Sequence, residues 1–135
     1  MIPLLISLAA LLGINLNLAF SHSLTQPDWA AGALLAALLA HRHNWRWVLP
    51  MLCLHDIALY WSLSATLPAM ALIPLAMIYF DQHLGVGLPQ RLLLLLLAVV
   101  TLLLPGWSLP AMLLTLCGTV PLWYLLTRHY AQSPA

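Results

Sequence analysis

Long apolar runs fill this chain, at about residues 2–20, 29–41, 47–66, 68–80, 92–105 and 109–127, with four basic and three acidic side chains in the whole length. The basic residues are all Arg and the acidic ones all Asp. A chain that is 64% hydrophobic and 5% charged has too few charges to coat a water-soluble globule, in which about a quarter of residues are charged. The pattern predicts an all-α fold: a polytopic transmembrane helical bundle of about six spans, forming one domain over residues 1–135. Lipid is then the main surface partner. Nucleic acid is excluded as a partner, because no stripe of Lys or Arg is present to neutralise phosphates.

A straight crossing takes about 20 residues, so the second, fourth and fifth runs are short. They either recruit flanking Trp, His and Tyr, thin the bilayer or enter part-way, and a five-span or re-entrant version stays open. Met1–Phe20 has no basic n-region and no A-x-A site before His22, so it reads as a retained first span. The arginines support an even number of spans. With both termini cytoplasmic, Arg42, Arg46, Arg91 and Arg128 all fall inside, and the outer loops around Ser21–Asp28, Ala65–Pro68 and Gly106–Ser108 carry none. His22 then lies outside.

Trp29, Trp45, Trp47, Trp107, Trp123, Tyr124, Tyr79 and Tyr130 fall near expected span ends and read as interfacial anchors. Pro50, Pro68, Pro74, Pro105, Pro110 and Pro121 predict bent helices. Gly32, Ala36 and Ala40 put small side chains on one face of the second run, as do Ala111, Thr115 and Thr119 on the sixth. Such faces admit a close neighbour, from this chain or another. Cys53 and Cys117 form no C-x-x-C pair and read as small buried apolar residues.

His55-Asp56 is the strongly polar pair within a run, roughly 13 Å in from the cytoplasmic edge as counted from Arg46. An ionisable residue at that depth faces a bundle interior, a partner or water, either in a proton relay or contact site or simply bonded to neighbouring helices. Adjacent residues on a helix point about 100° apart, so the two are not expected to share one small site. Tyr60, Trp61 and Ser62 continue the same helix. Asn15 and Asn17 read as interhelical hydrogen-bonding residues, with the lining of a cavity as the alternative. No bis-histidine haem is expected, since His55 has no partner at matched depth. His41, His43, His83 and His129 lack Cys or Glu companions for a metal. Asp28, Asp56 and Asp81 are expected at three different depths, too far apart for an acid/base pair. No catalytic residue, cofactor or metal is therefore assigned, and the chain is not expected to be an enzyme.

Gln26-Pro27-Asp28-Trp29 opening the second span, the His41-Arg42 turn and Cys53-Leu54-His55-Asp56-Ile57-Ala58-Leu59-Tyr60 in the third resemble the rod-shape-determining MreD family. Its members share a P-x-W entry, a short basic turn and an intramembrane Asp in that order, followed by further spans and a basic end, here Arg128-His129-Tyr130. Glycines usual around that Asp are replaced here by Pro50, Leu54 and His55, and the chain is shorter. The resemblance implies a multi-pass inner-membrane scaffold, non-enzymatic, that binds MreC and through it the cell-elongation synthases. Asp28, Trp29, His55, Asp56 and Tyr60 would face the partner or an internal cavity. Two other readings fit a bundle of this size: an accessory subunit of another membrane complex, and the substrate-binding component of a small-molecule transporter.

Overall fold

A computed structural model describes residues 1–21 and 23–132; His22, expected on the outer side, lies outside the described residues. The six runs form six helices, α1 (Ile2–Ala19), α2 (Trp29–Ala40), α3 (Trp45–Tyr60), α4 (Leu67–His83), α5 (Leu88–Val100) and α6 (Leu109–Gln132), with no strand among the described residues. Of these, α1 and α6 are long and apolar enough to cross a membrane, and α2 and α5 are shorter apolar helices.

The bundle is organised around α2. Between Trp29 and Ala40 this helix has no polar side chain, so it offers no face that prefers water, and an element that is apolar all round must be surrounded. Ten consecutive residues, Ala30 to Leu39, are buried, and α2 packs against every other helix. The outer helices follow one another around it in the order α1, α3, α4, α5, α6. Each buries a single stripe: Ile6, Ala10, Gly13, Ile14 and Asn17 on α1, Met70, Ile73, Pro74 and Met77 on α4, and Leu94, Leu95, Ala98 and Val99 on α5. Their other faces are Leu-rich and exposed.

The two small-residue faces meet each other. A Cβ built on Gly32 would lie 2.8 Å from Thr119 Oγ1 and 3.5 Å from Thr115 Cγ2, so the neighbour left open by the sequence belongs to this chain. Ala36 is fully buried and Ala111 nearly so, while Ala40 is half-buried at the α2 terminus. Gly13 serves α1 likewise, with the Cβ of Trp29 and the backbone N of Ala30 under 3 Å from where its own Cβ would be. At the far end of α2, buried Asn44 donates from Nδ2 to the Ala37 carbonyl (2.7 Å) and to the Tyr130 hydroxyl (3.2 Å). It accepts from Trp47 Nε1 at 3.3 Å, so one amide joins α2, α3 and α6.

Several expectations are corrected. The third run breaks early: α3 ends at Tyr60, Trp61 takes a left-handed conformation (φ 54°) and residues 61–66 form a bend. Trp61 and Ser62 therefore do not continue the helix. Trp123, expected as an interfacial anchor, is buried against the core, because α6 runs five residues beyond the expected end at 127 to Gln132 and keeps Trp123 within its inward stripe. Cys117 is exposed and Cys53 half-buried, so neither is the fully buried residue expected. Asn15 is exposed and turns back to the Leu11 carbonyl of its own helix at 2.8 Å, bridging nothing. Among the prolines, Pro50, Pro74 and Pro121 lie inside helices, and Pro68 occupies the first turn of α4, where its missing N–H costs no helical bond.

Candidate functional site, a buried Asp-His-Asp network

Asp28 is the N-cap of α2. Its Oδ1 accepts from the Ala31 N–H at 3.1 Å, and its own backbone N–H donates to Thr115 Oγ1 at 2.9 Å. The Thr115 hydroxyl donates a hydrogen bond to the Ala111 carbonyl (2.9 Å), so α6 fixes the entry to α2. The cap carboxylate in turn meets α3, with His55 Nε2 at 3.0 and 2.9 Å from its two oxygens.

The opposite ring nitrogen, Nδ1, lies 2.9 Å from Asp56 Oδ1. Asp56 closes the network onto α4. Its Oδ2 accepts the backbone N–H groups of Thr66 and Leu67, each at 2.9 Å, and its Oδ1 accepts the Thr66 hydroxyl. Asp28, His55, Asp56 and Thr66 are each at most 1% exposed. Four helices are thereby joined through groups 10 to 87 residues apart.

Two sequence expectations fail here for one reason. Asp28 and Asp56 are not at different depths, and His55 and Asp56 do share one small site. At 1.5 Å per residue, the twelve residues of α2 carry Asp28 about 18 Å from the His41 turn, and His55 lies about 15 Å along α3 from Trp45. The shortness of α2 places its cap level with His55. The bend at 61–66 then brings the start of α4 beneath Asp56, so that its carboxylate reaches round to the same ring. Asp81 stays apart, at the arginine end, where both its oxygens accept from Arg91 Nη2 (2.8 and 3.0 Å).

Proton counting constrains the network. Each His–Asp contact needs one proton between its heavy atoms, so two protons are shared among three groups. An imidazolium between two carboxylates and a neutral imidazole beside one carboxylic acid both give a net charge of −1. The N-termini of α2 and α4 both face this charge, and each contributes about +0.5. The two ends together are opposite to the network in sign and about equal to it in size. Because the carboxylates occupy opposite ring nitrogens, the three groups have no common point at which a metal ion would sit.

Tyr60 packs its ring edge-on to His55 (6.0 Å between centroids) and accepts a hydrogen bond from Trp107 Nε1. Both side chains are half-buried and line a cleft of about 600 Å³ at this end of the bundle. Asn17 lines the same cleft; its Nδ2 donates to the Pro27 carbonyl at 2.8 Å, and its buried Oδ1 has no partner. Trp29 is half exposed, bonded through Nε1 to Gln26 Oε1 at 3.3 Å, and so lies outside the network that its neighbour Asp28 enters. Beside it an apolar groove of about 340 Å³, lined by Gly13, Gly32, Thr115 and Gly118, separates α1 from α6.

Thr66 and Thr115 were not singled out for this site by sequence reasoning, although Thr115 was placed on a packing face. Thr66 did carry a signal, since a Thr followed by Leu-Pro marks a helix start whose backbone N–H groups seek an acceptor. The chain matches no protein-family model, no curated protein and no solved structure.

Proposed function

We propose that this protein is a non-enzymatic, multi-pass inner-membrane scaffold of the kind its MreD-like segments suggest, with six spans and both termini cytoplasmic. The observation that carries the reading is the closure of the Asp28–His55–Asp56–Thr66 network. Its groups are solvent-excluded and their ring and carboxylate atoms are bonded to one another or to helix ends. A network so consumed holds four helices in register and leaves no face for a substrate. Function then resides on the outside, where exposed Leu4, Leu5, Leu8 and Leu12 on α1 and Leu92, Leu93, Leu96 and Leu97 on α5 meet lipid or the helices of a partner. MreC and the cell-elongation synthases are the partners that the resemblance implies.

A second reading, a substrate-binding membrane component, draws support from the cleft at Asn17, Tyr60 and Trp107, whose unpartnered Asn17 Oδ1 is an acceptor open to a polar ligand.

Gentle-detergent purification through a tag on the Arg128 end, with mass spectrometry of what is retained, separates these. Recovery of MreC with elongation synthases supports the scaffold. A retained small molecule without cell-wall proteins moves the protein to the second reading, and an unrelated membrane complex makes it an accessory subunit of that complex.

A further inference from the structure

At the arginine end a second cavity, of about 420 Å³, opens between α2, α4, α5 and α6. Two of the groups lining it are buried donors without a partner, Arg91 Nη1 and Trp123 Nε1. Neither a guanidinium nor an indole N–H can accept a hydrogen bond, so only an acceptor satisfies them. A buried donor left unmet is costly enough to require an explanation. Arg42, also in the lining, is exposed and has no ion pair among the described residues. The one carboxylate present, Asp81, is already engaged by Arg91 Nη2. Two arginines against one aspartate leave one net positive charge at the mouth. The remaining wall carries His41 and Thr127 and is otherwise apolar, with Leu39, Met77 and Leu88.

We propose that this cavity binds a phosphate group, held by Arg42, Arg91 and the Trp123 indole, with its apolar wall taking the tail of an anionic phospholipid. Arginine and indole donors converging on one space suit several tetrahedral oxygens, and a basic site at the cytoplasmic edge of a bundle suits an anionic headgroup. The lipid source rests on the membrane reading above, whereas the phosphate chemistry does not, and neither depends on which protein is the partner.

The test is native mass spectrometry of the full chain in an uncharged detergent with added phosphatidylglycerol or phosphatidylcholine. Wild type is expected to retain phosphatidylglycerol preferentially. R42Q and W123F, which remove one donor group each, are expected to lower that retention about five- to tenfold. R46Q and R128Q remove the same charge at the same end but outside the cavity, and are expected to leave it unchanged. Displacement of the lipid by millimolar inorganic phosphate identifies the phosphate alone as the ligand, and resistance to displacement identifies the lipid. Equal losses in all four variants, or equal retention of the two lipids, overturn the proposal; thermal unfolding of each variant confirms that the comparison is between folded proteins.

Discussion

Gly32 of α2 and Thr119 of α6 approach so closely that a methyl group on the former would stand 2.8 Å from the hydroxyl oxygen of the latter. That hydroxyl is itself committed, donating to the Thr115 carbonyl at 2.7 Å, so it cannot swing aside without giving up a bond. Gly32→Ala is therefore expected to destabilise the bundle by about 1–3 kcal/mol through overpacking, read as a lower midpoint of thermal unfolding in detergent. Thr119→Gly in the same chain should recover part of the loss. A pair of effects that simply add would show that the two residues do not constrain each other.

Removing the ring between the two carboxylates has a different consequence. His55→Leu leaves Asp28 and Asp56 in a dry interior without the group that shared protons with both. Breaking a buried charged network from one side costs about 3–5 kcal/mol. Asp56→Asn keeps an acceptor for the Thr66 and Leu67 N–H groups and should cost less than Asp56→Ala, which orphans both. Denaturant or thermal unfolding of the three variants gives the order, and an Asn variant as unstable as the Ala variant would contradict the role assigned to the α4 N-terminus.

Trp61 ends α3 at φ 54° and is 89% exposed. A left-handed conformation costs a residue with a Cβ about 1–2 kcal/mol, from which glycine is exempt. Trp61→Gly is expected to raise stability in detergent by about 0.5–1 kcal/mol, less than the full relief because glycine gains freedom in the unfolded chain. A fall in the unfolding midpoint would mean that the indole contributes more than its conformation costs.

The proposed topology gives a direct labelling result. With Cys53 and Cys117 replaced by Ser, a cysteine at Ser64 or Ser108, both exposed in the connections opposite the arginine end, should react with a membrane-impermeant thiol reagent added to intact cells. A cysteine at Gln132 should react only after permeabilisation. Labelling of all three from outside would invert or break the six-span arrangement.

Much of the helix order was legible from residue type alone. All six helices start within four residues of the apolar runs, because Pro, Gly, Asp and Asn punctuate them where the helices in fact begin or end. Asp28, His55 and Asp56 stood out as polar residues beside or within those runs. Their meeting was not legible, since depth was counted from opposite edges of an assumed bilayer, and that count fails for a twelve-residue helix. The central position of α2 did have a signal, the absence of any polar side chain from Trp29 to Ala40, which fits enclosure by other helices better than contact on one side. Asn44 gave none, because an Asn in a short polar turn reads as solvent-exposed until Tyr130, 86 residues away, arrives beside it.

The contact of α2 with α6 also sets an order of events during synthesis. The helix at the centre of the bundle leaves the ribosome before α6, which carries Thr115 and Thr119, the residues that cover its Gly32 face and, through Thr115, fix the Asp28 backbone. Until α6 arrives, the small-residue face of α2 at Gly32 stays uncovered. The nascent chain therefore carries an unfinished seam until α6 arrives to close it.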